Sequence, residues 1–347
     1  MEPPLVGAAP QHQSLVSGMA SCSAACIRPS IHPPNNERLD MTTHVKDPRD
    51  LDASCPAGPD RADLTDPRGR RRSMGRAAKI ISIAAALAIA LVGCAEAGAA
   101  PQAPSAGAPT IVLVHGAFAD ASSWNGVVSR LQRDGYDVVA PANPLRGLTS
   151  DSAYIAGYLE QLGGCTLLVG HSYGGAVITN AAYDASNVHG LVYVAGFAPD
   201  AGEVLGDVEK TSKDSVLNSA LLPLTYPTDA GGDPTATEYL IDPQKFHSVF
   251  AADLRADEAA LLAATQRPAA QAAFSEASGP PAWKKLRSWA VVGTDDTAAG
   301  ADVIHSMATR AGADITEISA SHLVMVSHPD EVTSVIEGAV TAVRPTC

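Results

Sequence analysis

The sequence predicts an α/β protein: a doubly wound, mostly parallel sheet covered by helices, with a helical cap inserted late in the chain. Three observations carry that expectation. From Thr110 onward, short apolar runs alternate with segments of helical period. One junction, Thr166-Leu167-Leu168-Val169-Gly170-His171-Ser172-Tyr173-Gly174-Gly175, runs from an apolar strand through a glycine-rich turn into small residues that open a helix. Over about residues 200–285 the alternation stops, and it resumes afterwards.

Taken in order, Ile111-Val112-Leu113-Val114 reads as a buried strand, and residues 123–133 as an amphipathic helix ended by Asp134-Gly135. A strand over 137–140 and a helix over 152–162 follow. Next come the strand before Ser172, a helix through Ala182, and the strand Gly190-Leu191-Val192-Tyr193-Val194. After the interruption the expected order is strand 288–292, helix 301–311, strand 314–318 and a last helix from Pro329 to about Val343. The interruption itself carries helical pieces at 253–265 and 269–275 and turns such as Gly231-Gly232-Asp233-Pro234. An insertion at the carboxyl ends of parallel strands covers the crevice where such sheets bind ligands, so it reads as a cap.

The first hundred residues have a different character. Residues 1–73 are rich in Pro, Ser, Arg and Asp without period, the composition of a disordered segment. Met74 opens a short basic region (Arg76, Lys79), a 13-residue apolar run over 80–92 and small residues to Ala100, the layout of a signal peptide. Leu91-Val92-Gly93-Cys94 is similar to a bacterial lipobox, so Cys94 is the expected lipidation point, with cleavage near Ala97–Ala100 as the alternative. Met74, or less favourably Met41, then reads as the initiator, residues 1–73 as a misassigned start, and 101–109 as a Pro- and Ala-rich tether to a domain over 110–347. Export from a bacterial cytoplasm follows, to the cell surface or the medium, with any membrane contact made through the lipid.

Net charge is −13, and acids outnumber bases beyond residue 94. So acidic a body repels phosphate backbones, and no nucleic-acid partner is expected. The histidines are not clustered at ligand spacing and no phosphate-cradling loop is present, so neither metal nor cofactor is implied. Cys165 enters its strand at the amino edge of the sheet, and the last helix returns toward that side carrying Cys347. Export permits these two to form a disulfide.

Gly-x-Ser-x-Gly between a strand and a helix is a nucleophile elbow, which raises the Ser172 hydroxyl at a sheet edge. A serine needs a base and a group that orients the base, and in this arrangement they follow in the order acid, then histidine. His322 comes straight off the last strand, whereas His328 abuts Pro329 at a helix start. The acid belongs after strand 288–292, where Asp296 leads by position, with Asp295 and, one strand earlier, Asp200 as alternatives. Two amides must hold an oxyanion: Tyr173, next to the serine, and Ala117 (or Phe118) in the loop His115-Gly116-Ala117-Phe118, which His115 braces.

These motifs together (His115-Gly116-Ala117, Gly170 to Gly175, Gly293-Thr294-Asp295-Asp296 and Ser321-His322) resemble the α/β-hydrolase superfamily over 110–343. More narrowly, they resemble the branch of plant methyl esterases, hydroxynitrile lyases and bacterial pyrethroid-type carboxylesterases. The resemblance implies the α/β-hydrolase fold, Ser172 as nucleophile, Asp296 as acid, His322 as base and ester hydrolysis. The cap, poor in aromatics and rich in Ala and Leu, points to a small to medium apolar ester. The lyases carry threonine at the position of Gly116 and lysine at that of Leu323, departures that disfavour cyanohydrin cleavage. Other chemistry on the same triad (amide or carbon–carbon hydrolysis, perhydrolysis) and a non-catalytic ligand receptor stay open at this point.

Overall fold

The structure is a computed structural model that describes residues 107–228 and 234–347. The signal-like segment, Cys94 and most of the tether lie outside the described residues, as does the Gly231-Gly232-Asp233 part of the cap turn.

In chain order the strands are β1 (Thr110–Val114), β2 (Val138–Val139), β3 (Thr166–His171), β4 (Val188–Val194), β5 (Leu221–Pro227), β6 (Thr235–Ile241), β7 (Ala269–Ala270), β8 (Ser288–Gly293) and β9 (Asp314–Ile318). The helices are α1 (Asn125–Arg133), α2 (Leu148–Glu160), α3 (Tyr173–Ala181), α4 (Leu205–Glu209), α5 (Pro243–Phe250), α6 (Ala256–Thr265), α7 (Ala272–Ser275), α8 (Ala301–Arg310), α9 (Val324–Ser327) and α10 (Pro329–Val343). Six strands form one parallel sheet in the order β2-β1-β3-β4-β8-β9.

Ile111, Val112, Leu113 and Val114 are all fully buried, as are Leu167, Leu168 and Val169. Successive strand side chains point to opposite faces, so the burial of every one means that both faces are covered. Each such side chain contributes about 1.5–3 kcal/mol of transfer free energy. The cover comes from α3, which packs on β1, β3 and β4 with α2 against it, from α10, which packs on β3, β4 and β8 beside α1, and from α8 on β8 and β9. β9 is an edge strand in which only Ile315 and Ile318 are half-buried and the other positions are exposed.

The expected main-sheet elements are present, with shifted ends. α2 starts at Leu148, four residues before the apolar period suggests, because the Asp151 carboxylate accepts from the Arg146 amide at 3.1 Å ahead of the helix. Residues 121–124 form a separate 3₁₀ turn capped by the Asp120 side chain.

The cap departs further from expectation. It is not purely helical: β5, β6 and β7 form a three-stranded antiparallel sheet. Ala269–Ala270, expected to be helical, is the strand β7, and α6 begins at Ala256 rather than Asp253. The physical reason lies in β5, which contains Pro223 and Pro227 and is largely exposed. Proline-bearing strands survive only at an edge, which is where β5 sits, and their pairing is not visible locally. The cap is fastened to the loop after β8 through Val216 N–H to the Thr297 carbonyl (2.8 Å) and Ser215 Oγ to the Ala298 carbonyl (2.6 Å).

Cys165, just before β3, and Cys347, after α10, are joined by a disulfide with 5.5 Å between their Cα atoms. It closes a loop of 182 residues. Cross-linking so long a loop restricts the unfolded chain, so loss of the bridge is expected to cost about 2–5 kcal/mol. Urea unfolding with and without dithiothreitol measures this. A Cys165→Ser/Cys347→Ser chain should match the reduced protein and ignore the reductant.

Candidate active site

β3 ends at His171, α3 begins at Tyr173, and Ser172 between them is held at φ 53°, ψ −124°. That left-handed backbone is costly for a residue with a side chain and persists only where the surroundings impose it. The imposition is visible in the glycines. A Cβ on Gly170 would lie 2.5 Å from the Gly174 carbonyl oxygen, and one on Gly174 would lie 2.5 Å from that of Val114. Strand, turn and helix therefore cross at backbone contact, and the Ser172 side chain emerges at the carboxyl edge of the sheet.

Two neighbouring strand ends supply its partners. The loop after β9 carries His322, whose Nε2 lies 2.8 Å from Ser172 Oγ, and the loop after β8 carries Asp296, whose Oδ2 lies 2.7 Å from His322 Nδ1. The hydrogen bonds assign the proton of the neutral imidazole to Nδ1, donated to Asp296, which leaves the Nε2 lone pair for the serine hydroxyl. Asp296 also accepts the amides of Ala298 and Ala299 on Oδ1, at 2.9 and 3.0 Å. Asp296 and His322 are each only 1% exposed and Ser172 is 6% exposed, so the chain of contacts runs in a nearly dry setting.

The other candidates lie elsewhere. Asp295 points outward and accepts from Ser319 Oγ at 2.8 Å, and Asp200 is paired with Lys284 at 2.5 Å. Neither touches His322, so both drop out as its orienting acid. His328 sits at the start of α10, 3.8 Å from Asp253 and 2.8 Å from Ser327 Oγ.

Of the amides expected to hold an oxyanion, that of Tyr173 directly follows the serine and that of Ala117 follows Gly116, which packs against it. Tyr173 is the first residue of α3, where N–H groups have no intrahelical acceptor, and Gly116, preceding Ala117, approaches so closely that a Cβ there would lie 2.7 Å from Ser172 Cβ. His115 braces this loop, with Nδ1 at 3.0 Å from the Gly116 carbonyl and Nε2 accepting the Asn143 amide at 3.0 Å. Burial holds its pKa below the ordinary histidine value.

Three supporting groups were missed in the sequence. His171 is fully buried, and its Nε2–H donates to the His322 carbonyl at 3.1 Å. Burial, then the neighbouring His322, holds it well below the ordinary histidine range, so it stays neutral. Its place between strand and serine was the available signal. Asp151 accepts the Tyr173 hydroxyl at 2.8 Å and so anchors the side chain of the residue that follows Ser172. Asp253 of the cap accepts from Ser321 Oγ, next to His322. No sequence spacing announces either carboxylate, because each contact is tertiary.

The rings of Phe118, Phe250 and Phe274 surround the site. Phe250 lies 4.8 Å from His322 between centroids, and Phe274 packs 6.0 Å from both Phe118 and Tyr173. Among the described residues one group of metal-ligating type converges, Cys165, His189 and Cys347 within 4.8 Å, and its two sulfurs are bonded to each other.

The model of the alpha/beta hydrolase family matches residues 111–335. A carbendazim hydrolyzing esterase of Nocardioides sp. (strain SG-4G) is 32% identical over 107 residues, 27% of this chain and 44% of that protein, so the match spans less than half of the relative's length. Similar solved structures include polyneuridine aldehyde esterase (19% identity, TM-score 0.57, 67% of this chain and 99% of that one). A pyrethroid hydrolase from Sphingobium faniae JZ-2 is also similar (18%, TM-score 0.55, 67% and 98%). Tomato methylketone synthase I bound to 2-tridecanone is a third (18%, TM-score 0.55, 68% and 99%). At these identities the structural likeness establishes the fold.

The Tyr173–Asp151 contact has a signed pH dependence. Burial raises the Asp151 pKa above the ordinary aspartate value, and the Tyr173 hydroxyl works against that rise. A carboxyl whose native pKa is raised loses stability as pH climbs from its unfolded-state pKa through the native one, and removing a donor raises the native pKa further and deepens that loss. Tyr173→Phe is therefore expected to lose about 1–3 kcal/mol at pH 7, with the loss shrinking as pH falls and Asp151 takes up its proton. Urea unfolding at pH 7 and near pH 4 reads the difference.

Proposed function

The chain belongs to the alpha/beta hydrolase family, and from that premise we propose that it is a serine carboxylesterase acting on a small to medium apolar ester through Ser172, His322 and Asp296. The observation that carries the reading is the unbroken sequence of contacts from the Ser172 hydroxyl through both imidazole nitrogens to a buried carboxylate.

In the proposed mechanism His322 Nε2 takes the Ser172 proton as Oγ attacks the ester carbonyl carbon. Asp296 holds the ring orientation and stabilises the imidazolium that forms. Charge develops on the carbonyl oxygen, where the amides of Ala117 and Tyr173 are the proposed donors. As the tetrahedral intermediate collapses, the carbon–oxygen bond to the alcohol breaks and His322 returns the proton to that oxygen. Water then attacks the acyl-serine with the same histidine as base, releasing the acid and restoring the hydroxyl. The phenylalanine rings around Ser172 support an apolar substrate, as do relatives named as an esterase and a pyrethroid hydrolase. The signal-like run over 80–92 and Cys94 support export with a lipid anchor, and a disulfide is compatible with an oxidising compartment.

Hydrolysis of p-nitrophenyl esters of graded acyl length tests the reading. Ser172→Ala is expected to lower kcat/KM by at least about 10³-fold, and Asp296→Asn to lower kcat by on the order of 10³–10⁴-fold. Asp295→Asn and Asp200→Asn, which do not touch the histidine, should stay within about 3-fold of wild type. Equal rates for wild type and Ser172→Ala would remove the serine mechanism.

A further inference from the structure

The cap contains a carboxylate that the proposed mechanism does not use. Glu209 ends α4 and is only 6% exposed. Its hydrogen bonds come from Ser215 Oγ at 3.2 Å and Asn218 Nδ2 at 3.3 Å, and both land on Oε1. Oε2 receives no hydrogen bond from the described residues. Glu209 lines a cavity of about 370 Å³ whose walls include Leu217, Leu221, Tyr239 and Phe274. That volume suits a small organic group. The basic side chain on the same wall, Lys210, turns its ammonium to Asp207 at 2.8 Å and acts on Glu209 only through space.

The cavity adjoins the Ser172 site. Phe274 forms its wall and packs against Phe118 and Tyr173 on the other side. The Ser215–Asn218 segment that holds Glu209 is tied to the loop of Asp296 through Ser215 Oγ and the Val216 amide. By contrast, a cavity of about 480 Å³ lined by Glu160, Asn180, Asp184 and Asn187 contains none of the residues around Ser172.

A carboxylate withdrawn from water into a mostly apolar cavity is unfavourable unless something pairs with it. Burial raises the Glu209 pKa, as that cost requires. A cationic partner in contact would relieve it; among the described residues no basic group hydrogen-bonds Glu209, and His322 and Lys210 act on it only through space. We propose that this cavity is a recognition subsite in which Glu209 binds an ammonium group, carried on an apolar part of the substrate. The substrate class is thereby narrowed to esters with a protonated amine remote from the scissile bond. This extension rests on the esterase reading for its meaning but not for its test.

The test is binding, read by calorimetry near pH 7. The probes are 4-ethylbenzylamine, which is protonated, and 4-ethylbenzyl alcohol, its neutral counterpart of nearly equal shape. Wild type and Ser172→Ala are both expected to bind the amine at least about 10-fold more tightly than the alcohol. Glu209→Gln, which retains an oxygen for Ser215 and Asn218, should bring the two affinities together. Equal affinity of amine and alcohol in wild type, binding of neither at millimolar concentration, or a preference that survives Glu209→Gln would overturn the proposal. Should Glu209→Gln fail to fold, the wild-type preference and its disappearance as acid protonates the carboxyl decide the matter. Because Ser172→Ala is titrated too, failure of the hydrolytic reading leaves these outcomes unchanged.

Discussion

Ser172 occupies a backbone conformation that its residue type disfavours, and the surrounding architecture exists in large part to keep it there. With φ at 53°, the turn needs Gly170 and Gly174 to let β3, α3 and the end of β1 meet at backbone contact. The sheet order puts β3 between β1 and β4, so this strained turn opens near the middle of the carboxyl edge. The loop after β1 brings Gly116 against the serine, and the loops after β8 and β9 bring Asp296 and His322 to it. A hydrophobic core fully buried on both faces of the sheet holds these loop origins in register.

The electrostatic arrangement follows from burial. Asp296 and His322 are almost completely removed from water, where charge is expensive unless hydrogen-bonded. Asp296 meets that requirement with two amides and the imidazole. His171 lies 4.8 Å from His322 between ring centroids and is kept neutral, so it supports the loop carbonyl without opposing a charge on His322. The same principle distinguishes Glu209, a buried carboxyl whose protein partners are neutral.

The main sheet was legible because its signals are local. Apolar runs, helical periods and the Gly-x-Ser-x-Gly junction each lie within a dozen residues, and chain order then picks out His322. Position alone ranked Asp296 ahead of Asp295 without removing Asp295. What separates them is the direction of the side chain: Asp295 turns out to Ser319, and Asp296 turns in to His322. The cap sheet was not legible, since β5 is proline-bearing, exposed and stabilised by pairing with β6. Asp151, Asp253 and Glu209 share that difficulty. Their roles depend on which distant side chains the fold delivers, and an isolated acid in a sequence carries no mark of a buried partner.

Covalent labelling tests the central claim, that Ser172 is activated by His322, most directly. Treatment with a fluorophosphonate, followed by intact-mass and peptide analysis, should add one phosphonyl group to the peptide bearing Ser172, with fluoride as the leaving group. Labelling should vanish in Ser172→Ala and slow by at least about 10²-fold in His322→Ala. A label on another residue, or full esterase activity in a protein labelled to completion, would contradict the account.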